Sequence, residues 1–324
     1  MLTFTQRGMP ELLWPELKIA LKKYFKEDII FLDQSKSASD VHFEFNYDKK
    51  SKLIGKFNVL ILHEPASVVP IQYKSRILKK FQIILPMGIL RSRNLSLDNW
   101  ILHPRSWSLE NNITKINEEK RTRNLVMVNG NKFSANKKSL YGLRRNISKK
   151  LFNLGVGFDL YGQNWHMSKI KELRERLWAI RREISALNFP SFKEAFSEFT
   201  YRYPGYKGPI DDKFDLLTKY KFALIIENEA DYITEKIFDA IYSKCVPLYI
   251  GPDLKEFKDL NKCIVHITPS AESIATFLKS DFNNEYLDKK KHIEYFINNS
   301  SEIELFSMRS IADKIANYVK NDYN

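Results

Sequence analysis

Residues 220–252 have the sequence YKFALIIENEADYITEKIFDAIYSKCVPLYIGP, and this stretch decides the fold class. Apolar residues fill 220–227 and again 246–250, each over the length of a buried strand. Between them, residues 234–243 carry apolar side chains at helical spacing. A strand, a helix and a second strand in this order predict a β-α-β crossover, which joins neighbouring strands of a parallel sheet.

The same alternation of strands and helices continues on both sides of this crossover. We predict further strands at residues 29–32, 40–45, 57–62, 81–85, 125–128, 158–161 and 264–267. We predict helices at residues 10–25, 139–154, 169–186 and 270–278 and over most of 287–319, and an irregular loop at 189–209.

A polar segment at residues 109–124 divides this alternation into two halves and is the predicted linker. Two such halves predict an α/β fold with two doubly wound, Rossmann-type domains that face each other across a cleft. We place the N-terminal domain at residues 1–122 and the C-terminal domain at 123–324. C-terminal helices that pack back on the first domain are compatible with this division.

The 324 residues carry a formal net charge of +13 and include only two cysteines, Cys245 and Cys263. The charge favours nucleic acid, acidic lipid headgroups or phosphorylated small molecules as partners, although a solvated lysine-rich surface is the simpler explanation. The low cysteine content indicates a reducing compartment, and residues 1–7 lack a signal-peptide pattern. We therefore predict a cytoplasmic protein, with peripheral association at the inner face of the membrane through lysines and residues 10–25 as an alternative.

Polar residues follow the first strand of the crossover. Glu227 and Asn228 stand at its carboxyl end, where open α/β sheets bind their ligands. Asp231 or Thr234 is placed to cap the following helix. The sequence therefore predicts a ligand site at this edge of the sheet.

Lys236 is unusual in this setting because it falls in the first turn of the predicted helix. A cation there is disfavoured by about 0.3–1 kcal/mol, and a bound anion would reverse that effect. Lys236 is thus a candidate phosphate ligand. An ion pair with Glu235 or a solvent-exposed lysine fits the spacing equally well.

The pattern Glu-Asn, Tyr-x-Thr-Glu-Lys, apolar helix and Val-Pro-x-x-x-Gly-Pro resembles the signature of glycosyltransferase family 10, the α-1,3/1,4-fucosyltransferases. Tyr-Lys-Gly at 206–208, Leu-Tyr-Gly-Leu-Arg-Arg at 140–145 and Phe-Asp-Leu-Tyr-Gly at 158–162 extend the resemblance. It covers about residues 125–252. The resemblance implies a GT-B fold, GDP-fucose as the donor, inversion at the sugar carbon, and neither a metal nor another cofactor.

The resemblance also implies roles for individual residues. The donor-binding residues would be Arg144, Arg145, Asn228, Tyr232, Thr234, Glu235 and Lys236. Glu235 would accept hydrogen bonds from ribose or sugar hydroxyls, and Lys236 would contact the pyrophosphate. One arginine would add a forked contact to the phosphates, and we prefer Arg144.

Inverting transfer also needs a base that removes the proton of the acceptor hydroxyl. Glu64 follows the predicted strand 57–62 within His63-Glu64-Pro65, a segment that resembles the acceptor segment of the family. We predict that Glu64 is this catalytic base. A loop carboxylate without a role in the reaction is the alternative.

The predicted function is transfer of fucose from GDP-fucose to a glycan acceptor, in α-1,3 linkage, on a surface polysaccharide or lipid-linked oligosaccharide. The sequence has no Asp-x-Asp triplet, and its six histidines are scattered, so we expect no metal site.

The short link 229–231 leaves another GDP-sugar open as the donor. A basic nucleic-acid-binding protein is the other alternative, but the sequence shows no binding module and its basic residues are dispersed.

Overall fold

The computed structural model describes residues 1–25, 28–32, 38–88, 101–102, 121–198 and 202–323, and it contains two parallel β-sheets. The first, in the order β2-β1-β3-β4-β5, consists of β1 (Leu2–Arg7), β2 (Ile29–Phe31), β3 (Ser39–Phe45), β4 (Gly55–Leu62) and β5 (Ile83–Pro86). The second, in the order β11-β10-β9-β6-β7-β8, consists of β6 (Arg123–Val128), β7 (Phe158–Tyr161), β8 (Tyr206–Gly208), β9 (Tyr220–Ile226), β10 (Val246–Ile250) and β11 (Val265–His266).

Twelve helices connect these strands in the described part of the chain. The first three are α1 (Leu13–Tyr24), α2 (Ser75–Leu78), which follows a 3-10 turn at Pro70–Tyr73, and α3 (Tyr141–Asn153). The others are α4 (Lys169–Ser185), α5 (Phe192–Ala195), α6 (Lys213–Leu217), α7 (Lys236–Tyr242), α8 (Lys258–Lys262), α9 (Ala271–Lys279), α10 (Phe282–Asn299), α11 (Glu302–Leu305) and α12 (Met308–Tyr323). None of the helices in these described ranges has the length and apolar character that crossing a bilayer requires.

The predicted crossover is present as β9, α7 and β10. β9 and β10 pair in parallel, with Val246 opposite Phe222 and Ile250 opposite Ile226. Both strands are almost entirely buried, and Ile237 and Phe238 of α7 lie in the same hydrophobic core. The apolar runs that predicted this unit therefore form the centre of the second sheet.

The structure also differs from the sequence predictions: helices α2, α6 and α8 were not predicted, and three strands and one loop differ as well. β1 was not predicted, because its polar Thr5 and Gln6 hide the apolar pattern; Thr5 is nevertheless buried, 2.7 Å from the hydroxyl of Ser39. β3 begins one residue earlier than predicted and lies centrally between β1 and β4. β5 begins two residues later than expected, and the loop predicted at 189–209 contains α5 and β8.

The predicted linker is described only from residue 121 onward, because 109–120 lie outside the described residues. The domain boundary at 122 therefore stays a prediction. The strands of the first sheet all precede residue 87, and those of the second all follow residue 122.

The last helix, α12, packs against the first sheet rather than the second. Its buried apolar face shares one hydrophobic core with α1 and with strands β1, β3, β4 and β5. At its edge, Asp313 accepts hydrogen bonds from Lys23 at 3.0 Å and from the hydroxyl of Tyr24 at 3.0 Å. The C-terminal helix thus completes the core of the first unit after the chain has built the second.

We predict that Ile315→Ala lowers the free energy of unfolding by about 2–5 kcal/mol, because Ile315 is fully buried between α12 and the first sheet. Asn317→Ala, at an exposed position of the same helix, should change it by no more than about 0.5 kcal/mol. Urea denaturation followed by circular dichroism measures both. Equal effects of the two substitutions would contradict the packing of α12.

Candidate functional site

A cavity of about 590 Å³ lies at the carboxyl ends of the strands in the second sheet. Such an edge is where ligands bind in open parallel sheets, because the strand ends and the following loops converge there. The first unit contributes the segment after β4 to the lining of this cavity. The cavity is lined by His63, Glu64, Val128, Asn129, Gly130, Lys132, Arg144, Gly162, Gln163, Ile210, Asp211, Lys213, Asn228, Tyr232, Thr234, Glu235 and Lys236.

Two cations meet at the side chain of Asn228. The Arg144 guanidinium lies 3.4 Å from Asn228 Oδ1, and Lys236 Nζ lies 3.3 Å from the same oxygen. Both contacts are long for charged donors, which form bonds nearer 2.8 Å with anionic oxygens. Arg144 is further fixed because it donates to the carbonyl of Ile226 at 2.6 Å. The arrangement offers two adjacent, positively charged donors to an anion in the cavity.

Glu227, at the end of β9, organises the turn that carries these groups. Its carboxylate accepts from the Thr234 backbone N–H at 3.0 Å and from the Thr234 hydroxyl at 2.8 Å. Lys236 Nζ lies 3.5 Å from Glu227 Oε2, the oxygen that also accepts the bond from the Thr234 hydroxyl. Burial raises the pKa of Glu227 and lowers the pKa of Lys236. Glu227 was not among the predicted site residues. Its position beside Asn228 at the end of a strand is the sequence feature that could have indicated it.

This arrangement removes one of the alternatives for Lys236. Its side chain is only 16% exposed, so it is not a solvent-exposed lysine. Lys236 Nζ lies 3.5 Å from the Glu227 carboxylate, and the charges of both Glu227 and Glu235 oppose the lowering of the Lys236 pKa by burial. Glu235 is the N-cap residue of α7, and its side chain makes no capping bond. Of the two predicted capping residues, Thr234 contacts the first turn: its hydroxyl accepts from the Lys236 backbone N–H at 3.4 Å and donates to Glu227.

The two predicted arginines have different surroundings. Arg145 does not line the cavity; its guanidinium donates to the Lys132 carbonyl at 2.7 Å and to the Ser197 hydroxyl at 2.9 Å. It also lies over the Phe133 ring, and burial lowers its pKa to about 10. Arg145 therefore ties α3 to neighbouring loops. Of the pair, the structure places Arg144 in the cavity wall, which was the preferred candidate.

Glu64 lines the same cavity with its backbone fixed from several sides. Asn46, at a φ of 60°, accepts from the backbone N–H groups of His63 and Glu64 at 3.0 and 2.9 Å. The Glu64 carbonyl accepts from Gln72 at 2.7 Å and from the Tyr73 hydroxyl at 2.9 Å. These bonds are made by the backbone of His63 and Glu64. The half-buried Glu64 carboxylate is thereby positioned at the cavity without bonds to its own oxygens.

Residues 229–233 join the two units beside the cavity. Glu229 accepts from the Ser67 backbone N–H at 2.5 Å, and Ile233 N donates to the Gly88 carbonyl at 2.8 Å. The hydroxyl of the buried Tyr232 donates to the His63 carbonyl. The turn that presents Lys236 is therefore anchored to the segment that presents Glu64.

Lys213 is a cavity residue that was not among the predicted site residues. It forms an ion pair with the buried Asp239 of α7. Burial raises the pKa of Asp239 to about 6. Nothing in the local sequence indicates that Lys213 faces Asp239. As for metals, no three His, Cys, Asp or Glu side chains of the described residues gather in a group that could hold one.

Comparisons with known proteins begin with two curated relatives that align over short segments. A "Putative fucosyltransferase-like protein" of Arabidopsis thaliana is 41% identical over 59 residues, which are 17% of this chain and 12% of that protein. "Alpha-(1,3)-fucosyltransferase B" of Drosophila melanogaster is 30% identical over 118 residues, which are 33% of this chain and 24% of that protein. The chain thus aligns with less than two thirds of either relative.

Solved structures match the whole chain at low identity. A glycosyltransferase from Rickettsia africae ESF-5 superposes with a TM-score of 0.51 at 12% identity, covering 99% of this chain and 98% of that one. Anabaena HepE, in complex with UDP and glucose, superposes with a TM-score of 0.54 at 10% identity, covering 99% and 100%. At such identities the likeness concerns the fold alone, and it confirms the predicted GT-B fold with two parallel-sheet α/β units.

The sequence pattern described as "Glycosyltransferase family 10 (fucosyltransferase) C-term" matches residues 143–315, just over half of the chain. The matched region begins in α3 beside Arg144, contains the whole crossover with Lys236, and ends in α12. The predicted family is thereby confirmed: the chain belongs to glycosyltransferase family 10, the fucosyltransferases.

Proposed function

We propose that this protein transfers fucose from GDP-fucose to a hydroxyl group of a glycan acceptor, with inversion at the sugar carbon. The observation that carries the proposal is the meeting of Arg144 and Lys236 at Asn228, in a cavity that Glu64 also lines. Two cations suit a diphosphate, and a carboxylate in the same cavity suits proton removal from an acceptor. Family membership supports the sugar and the nucleotide.

The proposed donor site uses Lys236 and Arg144 as diphosphate ligands. Their contacts with the neutral Asn228 oxygen are long, so anionic oxygens can replace it as the partner. Negative charge grows on GDP as the bond to the sugar breaks, and both cations then bind it more strongly than in the ground state. Glu235, at the rim of the same cavity, is the proposed partner of a ribose or sugar hydroxyl.

The proposed acceptor side uses Glu64 as the general base. Attack from the face opposite the departing diphosphate inverts the anomeric carbon, so the base and the diphosphate ligands must stand on opposite walls. Glu64 and Lys236 come from different units of the fold and line the same cavity. Tyr232 bridges them because its hydroxyl bonds to the His63 carbonyl next to Glu64.

The remaining parts of the proposal are an α-1,3 linkage, an acceptor on a polysaccharide or lipid-linked oligosaccharide, and action in the cytoplasm without a metal. Cys245 and Cys263 are both free and buried, which fits a reducing compartment. Another GDP-sugar in the same site is the competing donor. The test below addresses the nucleotide, the sugar and the metal together.

We predict that calorimetric titration in EDTA gives the tightest binding for GDP-fucose, because the site needs no metal to neutralise the diphosphate. UDP should bind at least about tenfold more weakly, a difference of about 1.4 kcal/mol. Equal affinity for GDP-mannose would make the competing donor the better assignment. Binding that disappears in EDTA would contradict the metal-independent site.

We predict that Lys236→Gln weakens GDP binding about 10- to 100-fold, because it removes a charge-assisted hydrogen bond. Glutamine keeps a donor for the buried Glu227, so the turn should still fold, and circular dichroism checks this. Lys255→Ala, at a side chain that is 81% exposed, is the matched control. Wild-type affinity in Lys236→Gln would remove Lys236 from the donor site.

We predict that Glu64→Gln lowers kcat by about 10²- to 10⁴-fold, the range expected for the loss of a general base. The affinity for GDP should not change, because Glu64 stands on the acceptor wall. Glu11→Gln, at an exposed glutamate of the first unit, should keep full activity. Undiminished turnover by Glu64→Gln would show that another group removes the proton.

A further inference from the structure

Helix α4 has an inverted distribution of polarity. Its buried face contains Glu172, Arg176 and Glu183, all at most 2% exposed. Arg176 pairs with Glu172 at 2.5 Å and also donates to the Ala195 carbonyl at 2.6 Å. A surface helix of a globular protein normally turns its apolar residues inward and its charges outward.

One side of the exposed surface of α4 is apolar. Ile170, Leu173, Leu177 and Ile184 are 74%, 43%, 52% and 56% exposed. At 3.6 residues per turn, these four positions fall within an arc of about 60° on the helix. They form one continuous stripe rather than scattered surface residues. Trp178, on the same helix, is also more than half exposed.

The apolar stripe continues into the segment that follows the helix. Leu187 and Phe192 are strongly exposed, and Phe189 is exposed as fully as in an extended chain. We call the whole set the α4 surface, and it consists of Ile170, Leu173, Leu177, Ile184, Leu187, Phe189 and Phe192. Contiguous exposed apolar surface of this kind marks a contact with a partner or a membrane.

The charges beside the α4 surface identify the kind of partner. Lys171, Arg174, Arg181 and Lys193 are exposed around it, and Glu175 is the exposed acidic residue of α4. Apolar side chains flanked by basic ones are the combination that binds the interface of a bilayer with anionic lipid. A second copy of the chain fits less well, because a two-fold pair would bring the same Arg174 and Arg181 flank against itself.

The α4 surface also lies next to the acceptor side of the cleft. Asn188, Phe189 and Pro190 line a second cavity of about 600 Å³, together with Tyr73 and Tyr232. Tyr232 lines the Glu64 cavity as well, so the two cavities adjoin. A bilayer at the α4 surface would therefore border the side from which an acceptor reaches Glu64.

We propose that the α4 surface docks the protein on the surface of a membrane that contains anionic lipid. The apolar side chains enter the interface, and the flanking lysines and arginines contact lipid phosphates. The segment predicted from the sequence for this task, residues 10–25, is used differently: the apolar face of α1 is buried against α12. The docking does not depend on the donor or on the reaction.

The test is cosedimentation of the full chain with vesicles of phosphatidylcholine alone or of equal parts phosphatidylcholine and phosphatidylglycerol. The wild-type protein should sediment with the mixed vesicles and at least about tenfold less with the neutral ones, and added salt should release it. Leu177→Glu combined with Ile184→Glu should lower the bound fraction at least about tenfold, because two interfacial side chains become charged.

Two further variants make the test specific. Ile19→Glu, at a 63% exposed position of α1, is the matched control and should bind vesicles as the wild type does. Arg174→Glu combined with Arg181→Glu should abolish the preference for anionic vesicles. The GDP affinity of every variant should equal that of the wild type, which separates this proposal from the proposed donor site and confirms folding.

Four results would overturn the proposal. The wild-type protein could stay in the supernatant with both kinds of vesicle, or bind neutral and anionic vesicles equally. The Leu177 and Ile184 double variant could bind as the wild type does. Finally, the double variant could convert a dimer to a monomer in light scattering while vesicle binding stays unchanged, which would make the α4 surface a contact between two copies.

Discussion

The site depends on a carboxylate and a lysine that are held together out of water at the end of β9. Glu227 is fully buried, and Lys236 nearly so, with 3.5 Å between them. Taking two charges out of water costs several kcal/mol each, and their attraction repays this only with good additional hydrogen bonds. Thr234 supplies two such bonds to Glu227. Residues 228–235 thus fold around this ion pair. Lys236 lines the cavity, and its acidic partner Glu227 does not.

The rest of the fold fixes this turn relative to Glu64. Glu229, Tyr232 and Ile233 bond to the backbone of the first unit, while α12 returns to complete that unit's core. Glu64 is in turn set by backbone bonds to Asn46, so its position does not depend on its own carboxylate. The position of Glu64 relative to the turn that carries Lys236 is consequently determined by the scaffold, as the proposed catalysis by positioning requires.

The sequence predicted those elements in which the local pattern and the burial agree. β9, α7 and β10 have apolar runs of the right length, and the structure confirms them. β1 was not predicted because Thr5 and Gln6 are buried polar residues. Helix α4 was predicted, but not which of its faces is buried, because only tertiary contacts bury Glu172 and Arg176. At the site, the resemblance implied that Arg144 and Lys236 bind the same ligand, and in the structure both line one cavity. The partnership with Glu227 and the separate role of Arg145 could not be predicted, since both depend on where neighbouring segments meet in space.

The measurement that tests the central claim most directly is a crystal structure of the protein with GDP. The account predicts diphosphate oxygens about 2.8 Å from Lys236 Nζ and from the Arg144 guanidinium, in place of their long contacts to Asn228 Oδ1. The claim would be contradicted by a nucleotide bound elsewhere, or by a diphosphate that leaves both cations on Asn228 and Glu227 as they are now.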